Sequence, residues 1–333
     1  TGYALDPKTN SDVFEKLGVA EKVQDLRGDV RDLAHISTAL ETSQPEVVLH
    51  LAAQSIVRTS FDQPLETIST NALGTANLLE ACRSVSSLRS LLIITSDKCY
   101  KNTGESTPFS EADPLGGNDL YSASKACTEI ISEAFRVSFF ERKSLVGLAT
   151  ARAGNVIGGG DWAVDRIVPD CINAWANKKN VDIRSPEATR PWQHVLEPLS
   201  GYLQLAQELS LSSGLSGEAY NFGPPGDNSF SVRELINEMS NYWDQVKWND
   251  ISNNKDYFHE AGLLKLNCDK ALHDLDWKPT LSFKETVKMT VEWYKHYHQE
   301  LDNKRDPLMY DFGVTQIEEY VEFAKNRDIS WAK

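Results

Sequence analysis

Along the first half of the chain, short and almost wholly apolar runs alternate with longer stretches in which apolar residues recur at helical spacing. Val47 to Leu51, Leu91 to Thr95 and Leu145 to Ala151 are the apolar runs, and Val23 to Leu26, interrupted by Gln24 and Asp25, is read as a further strand with them. Small or polar residues follow each one: Gly28-Asp29, Ala52-Ala53, Ser96-Asp97-Lys98 and Ala153-Gly154-Asn155. A strand apolar on both sides of its pleat is what a parallel sheet covered on two faces requires. The intervening stretches, including 31–43, 66–84 and 121–141, predict the covering helices. The alternation therefore predicts an α/β fold with a doubly wound parallel sheet.

After Asn155 the alternation breaks down, which predicts a smaller, mixed lobe beyond the sheet. The chain returns to the sheet with a helix at 198–212 and a strand at Ala219-Tyr220-Asn221-Phe222, and helices at 231–243, 269–275, 283–300 and 314–326 complete the lobe. The expected division is 1–154 plus about 196–222 for a dinucleotide-binding domain, and 155–195 plus 223–333 for a substrate-binding domain. No internal repeat or low-complexity tract interrupts this pattern.

A length of 333 residues suffices for one large or two modest domains. The hydrophobic fraction of 41% and charged fraction of 25% are those of a soluble globular protein. No run approaches the ~18 apolar residues of a membrane span, and no secretory signal opens the chain. The net charge of −14 argues against nucleic acid or an anionic membrane as partner. Anionic phosphates must then be held by local groups: Arg190, helix N-termini and loop amides. Cysteines 82, 99, 127, 171 and 268 show no Cys-x-x-Cys spacing, so neither a metal site nor a disulfide framework is indicated, and a reducing cytoplasm fits.

The chemistry concentrates at the end of the Leu91–Thr95 run. Ligands in open α/β sheets bind at the carboxyl ends of the strands, where Ser96, Asp97 and Lys98 fall. Tyr121 and Lys125 are four apart, which on a helix stacks them one turn above the other. An ammonium beside a phenol lowers its pKa, as a general base for alcohol oxidation requires. Either motif alone reads as a turn cap and the opening of a helix; both in order after a buried strand point to chemistry.

The blocks Gly28 to Asp32, His50 to Gln54, Thr95 to Tyr100, Tyr121 to Lys125, Arg152 to Trp162 and Arg190 to Val195 resemble the extended short-chain dehydrogenase/reductase superfamily. The last two blocks, with lysine after Asp97 where the dTDP-glucose relatives carry glutamate, are similar to the CDP-glucose 4,6-dehydratases. The resemblance implies a Rossmann-like fold, NAD as cofactor, CDP-glucose as substrate and a hydro-lyase reaction. It also implies deoxysugar biosynthesis of the kind that feeds lipopolysaccharide O-antigen, and a homodimer or higher homo-oligomer. The stripes Leu73, Ala76, Leu79 and Ile130, Ala134, Val137 would pair across the dimer axis, or equally face the chain's own sheet.

The same resemblance assigns roles. Tyr121 deprotonates the sugar C4 hydroxyl with Ser96 sharing the hydrogen bond, and Lys125 orients the nicotinamide ribose. Lys98 removes the C5 proton, and Asp97 protonates the departing C6 hydroxyl. Asp97 must then stay protonated by desolvation while Lys98 is partly neutral, so the two side chains are expected apart rather than as an ion pair. Asp29 and Val30 would line the adenine, with Asp29 equally suited to capping the helix at 31–43. Asp6 would accept the adenosine ribose hydroxyls, Leu51, Ala52 and Ala53 would let the cofactor approach their backbone, and Asn71 joins the cofactor set. Asn155 and Arg190 are the substrate candidates, followed by Arg166, His194, His259 and Glu260. His50, Trp162 and Trp192 read as core residues.

One departure stands out. A dinucleotide fold opens with a strand and a glycine-rich turn that carries the pyrophosphate. This chain starts at Thr1-Gly2-Tyr3-Ala4-Leu5-Asp6, which looks like the second strand, and Gly158-Gly159-Gly160 lies too far downstream to substitute. A preceding segment of about 30 residues, one strand-turn-helix in length, is therefore expected. Other readings are another nucleotide-sugar 4,6-dehydratase, a 4-epimerase, or a catalytically silent binding subunit. Asp97-Lys98 counts against an epimerase, which needs no acid/base pair at C5 and C6.

Overall fold

The computed structural model describes residues 1–7, 12–102, 104, 107–141, 146–225, 228–252 and 264–333. Four parallel strands, Ala219–Phe222, Gly147–Ala153, Ser90–Ile94 and Val47–His50, lie side by side in that order. Gly2–Ala4 and Asp25–Arg27 form a separate parallel pair. Among the described residues the strand Val47–His50 is bonded on one edge only, so the predicted sheet is present in two parts.

The pleat sorts the strand residues between two cores. On one face, Leu91, Ile93 and Leu148 pack with Ile36 and Leu40 of the helix Leu33–Ser43 and with Leu78 and Leu79 of the helix Gly74–Cys82. On the other, Leu92, Ala149 and Ala151 pack against Tyr202, Leu205 and Leu209 of the helix Leu196–Leu211. The helix Asp269–Leu275, expected in the smaller lobe, instead adds Ala271 and Leu275 to the second of these cores. The smaller lobe has its own core of Ile172, Trp175, Leu235, Val287, Val291 and Trp293.

Helix ends follow their caps. Asp32, not Asp29, caps Leu33–Ser43, accepting the His35 N–H at 3.0 Å. Ser231 with Glu234 and Ser282 with Glu285 form capping boxes for Val232–Met239 and Phe283–Asp302. The helix Ile167–Ala176, absent from the sequence expectations, buries Val168, Cys171, Ile172 and Trp175, and Pro169 sits in its first turn, where its missing N–H costs nothing. Gly159 packs against Trp293 of the smaller lobe's core, which lies 2.0 Å from where a Cβ would stand, so only glycine fits there. Among the described residues no helix is long and apolar enough to cross a membrane, and no group of three or more His, Cys, Asp or Glu side chains converges on a metal position.

Candidate active site

The strand Ser90–Ile94 ends in Thr95 and Ser96, and a single 3-10 turn, Asp97–Cys99, follows. Ser96 caps that turn: its Oγ accepts the Lys98 N–H at 3.2 Å and donates to Asp97 Oδ1 at 3.0 Å. The turn sends Asp97 inward and leaves Lys98 half-buried. Burial raises the Asp97 pKa, with the charges of Lys98 and Arg190 and the Ser96 hydrogen bond opposing it. Gly154 presses on this carboxyl, since a Cβ there would stand 2.0 Å from Asp97 Oδ2. Asn155, in the left-handed region at φ 54°, sets its Nδ2 3.5 Å from the same oxygen.

The helix Leu120–Phe135 supplies the second half. Asp119 caps it, accepting the Ser122 N–H at 2.9 Å, and so fixes the turn that carries Tyr121. Tyr121 is buried and hydrogen-bonded to Ser96. Its pKa is pushed up to about 12, chiefly by burial, while Ser96 and the charge of Arg166 pull it down. The expectation that Lys125 lowers it is not met here. Lys125 points instead to the Ile94 carbonyl, donating at 3.1 Å, and burial brings its own pKa down to about 8.

Asp97, Gly154, Asn155, Pro191, Gln193, Pro224 and Lys265 line a narrow cleft together with neighbouring backbone. Gln193 and Lys265 carry no signal of their own in the sequence, although Gln193 lies inside the Arg190–Val195 block. His194, expected at the substrate, is buried and does not line the cleft: residues in adjacent strand positions face opposite ways, and its Nδ1 accepts the Leu196 N–H at 3.3 Å. Burial lowers its pKa to about 4. Arg190 donates to the Thr189 carbonyl at 2.8 Å, and Arg166 stands 3.6 Å from Asp161. His259 and Glu260 lie outside the described residues.

On the cofactor side, Asp6 is exposed after Gly2–Ala4, and Asp29 is engaged by Arg31, whose hydrogen bond lowers its pKa. Val30 is a core residue beside Gly74. Leu51 is exposed, with Ala52 and Ala53 half-buried. Asn71 accepts the Gln54 N–H at 2.7 Å and donates to the Gln54 carbonyl and Ser124 Oγ, so its amide ties the loop after Val47–His50 to the site helix. His50 is a buried neutral histidine paired with Thr75. Trp192 donates to the Phe230 carbonyl, and Trp162 packs among Trp293, Tyr294 and Tyr297.

Comparison with known proteins adds the family. A profile described as GDP-mannose 4,6 dehydratase matches residues 5–290. CDP-glucose 4,6-dehydratase of Salmonella typhimurium is 43% identical over 299 residues, covering 88% of this chain and 83% of that protein. Among solved structures, dTDP-glucose 4,6-dehydratase from Streptomyces venezuelae with NAD bound superposes with a TM-score of 0.72 at 21% identity, covering 92% of this chain and 89% of that one. A UDP-glucuronic acid 4-epimerase from Bacillus cereus, in complex with UDP-glucuronic acid and NAD, gives 0.71 at 22% identity, covering 85% and 84%. The fold is thus shared by dehydratases and epimerases alike, and the profile and the 43% relative together show that this chain belongs to the GDP-mannose 4,6-dehydratase family.

Proposed function

We propose that the chain is an NAD-dependent CDP-glucose 4,6-dehydratase, converting CDP-D-glucose to CDP-4-dehydro-6-deoxy-D-glucose and water. The observation that carries this reading is the buried Asp97 carboxyl, whose pKa burial raises, beside the Ser96–Tyr121 pair, in a chain 43% identical to a CDP-glucose 4,6-dehydratase. An epimerase has no use for an acid at that place.

The residues fit the nicotinamide end of a dinucleotide, because Ser96, Tyr121 and Lys125 converge at one strand end and Ala52-Ala53 leave the neighbouring strand end uncrowded. Lys125 would hold the ribose, with Asp6 and Asp29 at the adenosine end. When bound, NAD would supply the hydride acceptor at C4 and return the hydride at C6, so no net redox change accompanies the loss of water. Tyr121 removes the C4 hydroxyl proton while Ser96 holds that oxygen. The resulting ketone acidifies C5, Lys98 takes the C5 proton, and Asp97 gives its proton to the leaving C6 hydroxyl. Asn155, Arg166 and Arg190 would hold the sugar and diphosphate.

Ile130 and Ala134 on the site helix and Val137 in the turn that continues it are exposed, with Leu65 and Leu73 exposed nearby in sequence order on the preceding helices, whereas Leu79 faces the chain's own core. These exposed residues support a homodimer. The five free cysteines suit the cytoplasm, and the product suits deoxysugar biosynthesis for O-antigen. The test is incubation of the longest natural form of the chain with NAD and CDP-glucose, read by mass spectrometry. Loss of water without accumulated NADH is expected; unchanged CDP-glucose with NAD bound overturns the substrate assignment.

A further inference from the structure

One helical turn beyond Lys125, on the same face as Tyr121 and Lys125, stands Glu129, and it is 5% exposed. Each of its oxygens receives two hydrogen bonds. Oε1 accepts from Thr95 Oγ1 at 2.5 Å and Arg152 Nε at 2.8 Å; Oε2 accepts from Thr150 Oγ1 at 2.6 Å and Arg152 Nη2 at 2.9 Å. Thr95 immediately precedes Ser96, while Thr150 and Arg152 lie on the neighbouring strand with Leu148, on the side that faces the helix. Arg152 is anchored in turn by Tyr100, whose hydroxyl donates to Asn221 on the next strand. One carboxylate therefore joins the helix bearing Tyr121 and Lys125 to the strand end bearing Ser96.

We propose that Glu129 is a positioning residue of the active site, holding Tyr121 and Lys125 in register with Ser96 and supplying the counter-charge that keeps Lys125 an ammonium. The proposal rests on the role given to Lys125 above. Lys125 is 5% exposed and its ammonium has the Ile94 carbonyl as hydrogen-bond partner, which does not neutralise a charge. The groups facing it are His50 from the adjacent strand, Cys99 from the 3-10 turn and Glu129 from its own helix. Burial keeps His50 and the Cys99 thiol uncharged, so Glu129 is the anion that opposes desolvation of the lysine. A purely structural bridge needs no such charge, because well-packed apolar residues replace buried ion pairs at little cost.

The test uses the full-length natural chain carrying ε-13C-labelled lysine, the Lys125 signal being assigned with Lys125→Met. Glu129→Gln orphans Arg152 and is expected to lower thermal stability; the double variant Glu129→Gln/Arg152→Met removes both charges and recovers most of it. In Glu129→Gln the Lys125 titration midpoint is expected to fall by about 1 unit or more, and in the double variant it is expected to fall relative to Arg152→Met alone, which keeps the carboxylate. Glu129→Asp keeps the charge and shortens the reach, so the midpoint stays near the parent value while kcat falls. A folded double variant whose Lys125 titrates as in Arg152→Met alone overturns the proposal. The titration needs neither cofactor nor substrate, so a parent chain that leaves CDP-glucose unchanged would sink the dehydratase reading without deciding this one.

Discussion

The two strand ends that border the site are built differently. At Ser90–Ile94, the residues that follow are buried and hydrogen-bonded: Ser96 to Asp97, Tyr121 to Ser96, and Thr95 to Glu129. After Val47–His50, Leu51 is 51% exposed and Ala52 and Ala53 are half-buried. The first region resembles a preorganised reaction centre, where fixed dipoles and donors need no rearrangement. The second offers open apolar surface, whose burial by a ligand contributes affinity rather than chemistry. Reaction type and cofactor affinity should therefore be separable by mutation.

The largest effect is expected at the closed end. Tyr121→Phe removes the proton acceptor and should lower kcat by about 10²–10⁴-fold, with thermal stability little changed because the ring stays in place. Initial rates of water loss, measured by mass spectrometry, check it; a fall below tenfold would show that the base is elsewhere. Lys98→Ala comes next. It should reduce dehydration by about 10²-fold yet still permit NADH formation from the sugar, since oxidation at C4 precedes removal of the C5 proton. Absorbance at the reduced nicotinamide band follows this, and undiminished dehydration would remove Lys98 from the mechanism.

These two residues also show what was legible beforehand. The apolar run Leu91–Thr95 and the Tyr121–Lys125 spacing are local patterns, and local patterns survive into the fold. The interior position of His194 and the pairing of Glu129 with Arg152 depend on contacts between distant segments, which spacing does not encode. The raised Tyr121 pKa has the same origin. Proximity of Lys125 along a helix was readable, but the Ile94 carbonyl that draws the ammonium aside was not.

A moderate effect is expected from pH at the boundary between the two regions. His50 ends the open strand, and its Nε2 meets Thr75 Oγ1 at 3.1 Å. The threonine hydroxyl proton is committed to the Asn71 carbonyl at 2.6 Å, so the neutral imidazole donates from Nε2. Burial holds the folded pKa at about 3, below the ordinary value of 6.5. A depressed pKa means that the unfolded chain binds more protons, so this stability is present above about pH 6.5 and is lost as pH falls. At pH 5 the loss is about 2 kcal/mol. His50→Gln keeps a donor without the titration, and its melting temperature should fall less between pH 7.5 and pH 5, in buffers of matched ionic strength. An equal fall in both proteins would assign acid lability to other groups.

The smallest effect on folding, and the sharpest on the comparison, is expected at Leu51. With half of its surface already in water, Leu51→Ser should change the stability of the free chain by less than about 0.5 kcal/mol. If a dinucleotide covers the remaining surface, the same substitution removes about 1 kcal/mol of apolar burial from binding, or roughly a fivefold rise in Kd for NAD. Turnover at saturating cofactor should then be unchanged, because Leu51 belongs to the open region and Ser96, Asp97 and Tyr121 to the closed one. Calorimetric titration with NAD beside a thermal melt separates the two quantities. A melt lowered by several degrees would mean that Leu51 is already covered in the free protein, and the contrast between a closed and an open strand end would then fail at its open side.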